Sequence, residues 1–227
     1  MEKINFRTKD GVTVTGNYFK PQKAHAPAFL LLHMMPSTKE SWNLFASFLQ
    51  KMGFAVLAID LRGHGESIDK DDMKIDYKKF LDEEHRESIY DVDSAKEFLS
   101  YKGADTSRLA IAGASIGANL ALWKASMDTD VRLLVLLSPG VDYRGIKTPD
   151  LARKYSGAVY IVASEGDTRN AATSSRILFG MFPGDKKLNI MEGNSHGTDM
   201  FDFRPDLMDE IVEWIRDCAK AFKILPT

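Results

Sequence analysis

Five runs of uninterrupted apolar residues, at 28–32, 55–59, 109–112, 133–137 and 158–162, recur along the chain with room for a helix between most of them. A strand that is apolar at every position is covered on both faces, which is the situation inside a parallel sheet flanked by helices. The intervening stretches 40–52, 84–101, 116–127, 171–181 and 205–222 carry helical periodicity, with Trp42, Phe45, Phe48 and Leu49 forming one stripe of the first. Strand alternating with helix specifies the α/β class, with a doubly wound and mostly parallel sheet. The first twenty residues follow a different rule. Ile4 and Phe6 alternate with polar residues, Asp10-Gly11 supplies a turn, and Val12, Val14 and Gly16 carry the alternation to Tyr18, which reads as an antiparallel hairpin.

At 227 residues the chain suits one α/β domain spanning 1–227, and no Pro/Gly-rich linker divides it. Thirty Lys and Arg against thirty-two Asp and Glu give a formal charge of −2, so neither nucleic acid nor a polyanionic membrane surface is an expected partner. The single cysteine, Cys218, has no internal disulfide partner and reads as a small packed apolar residue in a reducing compartment. The opening residues lack the apolar run of a leader, and no apolar run approaches the roughly 20 residues needed to cross a bilayer. The expected location is the cytoplasm.

In a sheet of this kind the reactive groups lie in the loops at the carboxyl ends of the strands. After the strand at 109–112 comes Gly113-Ala114-Ser115-Ile116-Gly117, followed at once by a helix. A serine in so tight a strand-to-helix turn takes a strained backbone, and the residues two places away on either side must be small because they approach closely. Its hydroxyl then stands above the sheet beside the N–H groups that open the helix, where negative charge is stabilised. A serine hydroxyl needs a base. His196 follows the last strand, at 188–191, and is the candidate; His25 and His85 stand in polar stretches that read as solvated surface. A histidine base needs a carboxylate to fix its tautomer. Asp167, after the strand at 158–162, is the candidate and Asp142 its rival, with Glu165 weaker; the alternative role for Asp167 is a helix N-cap.

Four blocks resemble the α/β-hydrolase superfamily over nearly the whole chain, and in particular its small serine-esterase-like members, carboxylesterases and dienelactone hydrolases. These are Lys9-Asp10-Gly11-Val12 with Tyr18-Phe19-Lys20-Pro21, His33-Met34-Met35-Pro36, the loop Asp60-Leu61-Arg62-Gly63-His64-Gly65-Glu66-Ser67, and the elbow with its glycines Gly113 and Gly117. The order Ser, Asp, His is also that of the superfamily. The resemblance implies a sheet of about eight strands, Ser115 as nucleophile, His196 as base and Asp167 as orienter. It further implies an oxyanion hole from the backbone N–H groups of Met35 and Ile116, and bracing roles for His33 and His64. Met34 departs from the pattern by standing where glycine is usual; with Met35 it is a candidate for the pocket wall.

The expected activity is cleavage of carboxylic esters of small to medium acyl or aryl substrates through an acyl-enzyme. Thioester, amide or peptide cleavage by the same residues is the alternative within enzymes, and a non-catalytic binding module the alternative outside them. No cofactor is expected, and no ligand spacing such as His-Glu-x-x-His suggests a metal. Residues 138–157 leave room for a loop and one short helix, and 68–84 read as a polar excursion near the mouth, so the expected cap is small or absent. Trp42, Phe45 and Trp123 read as core.

Overall fold

A computed structural model describes residues 1–221 and 224. The N-terminal hairpin pairs β1 (Glu2–Arg7) with β2 (Val12–Phe19), with Ile4 opposite Gly16. β3 (Pro27–Leu32), α1 (Asn43–Lys51), β4 (Ala55–Ile59), the two-residue strands β5 (Asp69–Lys70) and β6 (Met73–Lys74), α2 (Asp82–Arg86), α3 (Ile89–Tyr101), β7 (Asp105–Ala114) and α4 (Ile116–Met127) follow. The second half runs β8 (Val131–Leu137), β9 (Asp142–Tyr143), β10 (Ile146–Lys147), α5 (Pro149–Lys154), β11 (Ala158–Ser164), α6 (Ala171–Met181), β12 (Lys186–Met191), α7 (Met200–Phe203) and α8 (Leu207–Ala221).

Ten strands form one sheet in the order β12-β11-β8-β7-β3-β4-β2-β5-β6, with β1 on β2. The strands from β12 to β4 are parallel and the N-terminal and edge strands antiparallel. Alternate residues of each buried strand feed two separate cores. Leu30 and Ile111 pack with α3, α4 and α6 on one face; Phe29 and Leu31 pack with α1 and α8 on the other. This is the doubly wound, mostly parallel sheet read from the apolar runs, with two covered faces, and it agrees with the fold that the motif resemblance implies.

The helices depart from periodicity in two places. The stretch at 40–52 opens as a 3-10 turn over Lys39–Trp42 before becoming α1. The stretch at 84–101 is two helices rather than one: at 87–88 the backbone tightens, with Ser88 N–H bonding to His85 and Tyr90 N–H to Glu87. Beside that break Glu87 and Asp91 both reach Arg62, a partner that lies far away in sequence. The helix over 205–222 begins at Leu207; Phe222 lies outside the described residues. Residues 138–157 hold the short helix α5 and a minimal hairpin, β9 with β10, and no large cap. Trp42 and Phe45 are fully buried and Trp123 partly so. Cys218 is half-buried against the α8 core, where burial pushes its thiol up to about 11. No helix among the described residues is long and apolar enough to cross a membrane.

Candidate active site

Ser115 follows the last residue of β7 and caps α4 with φ 54° and ψ −118°, a conformation costly for a residue with a side chain. It is anchored by its own N–H to the Leu137 carbonyl at 2.8 Å. Both flanking glycines are sterically required: a Cβ on Gly113 would lie 2.1 Å from the Gly117 carbonyl oxygen, and one on Gly117 would lie 2.4 Å from that of Leu32. The turn therefore brings β7, α4 and β3 closer than any side chain allows. Ile116 is the first residue of α4, so its N–H has no partner within the helix. Ile116 and Met35 line the same cavity as Ser115.

His196 and Asp167 stand on the loops after β12 and β11, and His196 Nδ1 meets Asp167 Oδ2 at 2.5 Å with both side chains buried. Burial alone would raise the Asp167 pKa; the bonds from His196 and from the Arg169 N–H, at 3.0 Å, outweigh it and hold the carboxyl below its usual range. An ionised Asp167 can only accept, so Nδ1 carries the proton and Nε2 presents its lone pair. That Nε2 is buried and has no hydrogen-bond partner; the bond between Ser115 and His196 is not formed in this structure. Asp142, the rival carboxylate, instead accepts the Gly145 N–H at 2.9 Å and closes the turn of the β9–β10 hairpin. Glu165 is exposed and pairs with Arg176. Asp167 is not the N-cap of α6, a position held by Asn170; it accepts the Arg169 N–H in the turn before the helix, alongside its contact with His196.

Three of the other four histidines are held in structural contacts. His33 Nε2 accepts the Leu61 N–H at 2.9 Å, which leaves Nδ1–H to donate to the Met34 carbonyl at 2.8 Å. Burial pushes its pKa down to about 4, so the ring remains a neutral strut between the loops after β3 and β4. His64 lies against Tyr77, ring centres 3.7 Å apart, and burial lowers it to about 3. His25 is exposed, as its polar surroundings suggest. His85 is not: it is only 2% exposed and packs edge-on to Phe80, a correction to the surface reading that follows from the residue 80 loop folding over α2. The loop at 60–67 is fixed by buried charge. Asp60 accepts from the Lys39 N–H and Nζ, both at 2.8 Å, and Arg62 is clamped by Asp91 and Asp10.

A cavity of about 350 Å³ lies over Ser115, bounded by Met35, Pro36, Tyr77, Ile116, Asp142, Tyr143, Arg144 and Arg169. Met35 takes its expected place there. Met34 does not: it is 6% exposed and packs into the α1/α8-side core, and a Cβ on Gly197 would lie 2.5 Å from its sulfur. It has no positive φ, so this loop needs no glycine at position 34. Sequence reading overlooked Tyr143, Arg144, Arg169 and Tyr77, which reach the cavity from segments with no motif. Tyr143 stands edge-on to His196, ring centres 6.5 Å apart, and its buried hydroxyl faces the Ser115 hydroxyl without a fully formed hydrogen bond. Burial, and next the Asp167 charge, push that hydroxyl up to about 12, so it stays a neutral donor. Among the described residues no group of three His, Cys, Asp or Glu side chains could hold a metal.

A sequence profile for the serine aminopeptidase family S33 matches residues 23–174, well over half the chain and including both Ser115 and Asp167. The chain belongs to this family of α/β hydrolases. A curated relative, the thiohydrolase aneE of Aspergillus aculeatus, is 29% identical over 154 residues, covering 65% of this chain and 45% of its own. The chain thus spans about half the length of that relative. Among solved structures, Est1E of Butyrivibrio proteoclasticus with bound ferulic acid superposes with a TM-score of 0.79 at 17% identity, covering 96% of this chain and 99% of its own. The esterase Pf2001 of Pyrococcus furiosus gives 0.74 at 17% identity, covering 95% and 91%. These two likenesses establish the fold. Membership of the α/β hydrolases rests on the family match.

Proposed function

We propose that this hydrolase cleaves carboxylic esters of small to medium acyl or aryl substrates through an acyl-enzyme on Ser115. The observation that carries the reading is the buried Asp167–His196 pair, with its unpartnered Nε2, at the same sheet edge as a strained serine. His196 Nε2 takes the Ser115 proton as Oγ bonds to the ester carbonyl carbon. The resulting oxyanion accepts from the N–H groups of Met35 and Ile116; one such donor contributes about 10²–10³ in rate. The C–O bond to the leaving alcohol breaks as Nε2 returns the proton to that oxygen. Water, deprotonated by the same nitrogen, then attacks the acyl carbon, and the acid departs with Ser115 restored.

Thioesters are the second reading, favoured by the thiohydrolase relative. The chemistry is the same except that a C–S bond breaks. Hydrolysis of p-nitrophenyl butyrate by wild type and Ser115→Ala tests the reading. The expected result is a loss of at least about 10³ in kcat. Turnover close to wild type would remove Ser115 from the mechanism, and inertness of the wild type toward activated esters and thioesters alike would favour a binding module.

A further inference from the structure

The two sides of the cavity differ in chemistry, and the sheet order explains why. β7, which presents Ser115, lies between β8 and β3. The segments that follow β8, β11 and β12 in the sheet bring Tyr143, Arg144, Arg169 and His196 to one side; the loop after β3 and the turn after β6 bring Met35, Pro36 and Tyr77 to the other. The His196 side is polar, with two arginines against the one carboxylate of Asp142, and the opposite side is mostly apolar. Because His196 Nε2 delivers the proton to the departing atom, the leaving group must lie on the His196 side. The acyl chain is left to the apolar side.

Resting on the ester-cleaving reading above, we propose that the substrate is an apolar acyl group joined to an alcohol or thiol that carries an anionic group, a carboxylate or a phosphate, recognised by Arg144 and Arg169 with Tyr143 as a neutral donor. Among the described residues Arg169 forms no ion pair within 4 Å; its backbone N–H bonds to Asp167, and its guanidinium acts on that carboxylate only through its charge, the last and smallest of the causes that shift it. Arg144 has one distant partner, Asp82 at 3.8 Å, and both side chains are about half exposed, a pair worth little in water. Asp142 is the one acidic residue on the wall, and one of its oxygens is engaged by the Gly145 N–H. The Tyr143 ring is fixed from below: a Cβ on Gly140 would sit 2.6 Å from it, so the hydroxyl is held against Ser115 and beside His196, with no hydrogen bond fully formed. A buried hydroxyl without a partner is costly, and a leaving-group oxygen would supply the missing acceptor. For the thiol form, Ser115 Oγ bonds to the acyl carbon, the C–S bond breaks, and the sulfur departs with the His196 proton.

The test uses two thioesters with one acyl group: S-butyryl-3-mercaptopropionate, with an anionic leaving thiol, and S-butyrylthiocholine, with a cationic one. Thiol release is followed with a disulfide dye. At low ionic strength kcat/KM should favour the anionic substrate by about tenfold or more, the preference shrinking as salt is added. In the Arg144→Gln/Arg169→Gln double variant the ratio should fall toward one. A wild-type ratio at or below one, a ratio unchanged in the double variant, or turnover of neither thioester would overturn the inference. Ser115-dependent cleavage of neutral p-nitrophenyl butyrate, measured alongside, separates the two levels. If it is present while the ratio is flat, only the leaving-group inference fails; if it is absent, the ester-cleaving reading fails and takes this inference with it.

Discussion

At Ser115 the backbone conformation that costs about 1–3 kcal/mol is the same one that lifts the hydroxyl above the sheet. That residue was legible in sequence because everything it needs is local: a strand before it, a helix after it, and a glycine two places to either side. The carboxylate was harder, because two aspartates followed suitable strands and only folding decides which meets the imidazole. Asp167 does, and Asp142 spends its side chain on a hairpin turn. Asp167→Asn should therefore lower kcat by about 10⁴, while Asp142→Asn should leave it within a small factor; steady-state assays of the two variants decide, and a larger loss for Asp142→Asn would reverse the assignment. Tyr143, Arg144 and Arg169 were illegible for a related reason. They belong to no motif, and their place at the cavity follows from where β8 and β11 end rather than from the residues themselves.

Strands announced themselves through unbroken apolar runs, whereas helix ends and the small hairpin did not, because these are set by contacts made across the chain. The β9–β10 hairpin is the example with consequences. It is pinned to α4, the helix that Ser115 caps, by Asn119: its Nδ2 donates to the Ile146 carbonyl and its Oδ1 accepts the Gly140 N–H, both at 3.0 Å. Thr148 adds a bond to the Gly140 carbonyl. One buried amide thus couples the nucleophile's helix to the segment that carries Tyr143 and Arg144. Asn119→Ala should cost about 2 kcal/mol or more, since buried backbone groups lose their partners, and should expose the Gly140 amide to faster hydrogen exchange. Unchanged stability and exchange in that variant would mean the hairpin holds itself.

The whole molecule buries neutral histidines, and this gives its stability a definite pH dependence. His33 and His64 titrate near 4 and 3 when folded because burial penalises their charged forms, against about 6.5 in the unfolded chain. With folded values depressed, the unfolded state binds more protons, so stability present above pH 6.5 is lost as pH falls toward 4. Near pH 5 unfolding should take up about two protons from this pair, a slope of roughly 2–3 kcal/mol per pH unit; thermal unfolding from pH 7 to pH 4.5 measures it, and a flat profile would refute it. Asp10, held near 2 by Arg62 despite partial burial, adds a further loss between about pH 4 and 2. At this scale the fold was the most legible feature of all, because two-sided burial of a parallel sheet follows from composition along the strands. The central claim, that one serine is activated across the sheet edge by a distant histidine, is tested most directly by covalent capture. A fluorophosphonate should add to the wild-type protein once, with loss of fluoride, at the peptide containing Ser115, and should add far more slowly to His196→Ala. An unmodified protein, or an adduct on any other residue, would contradict the account.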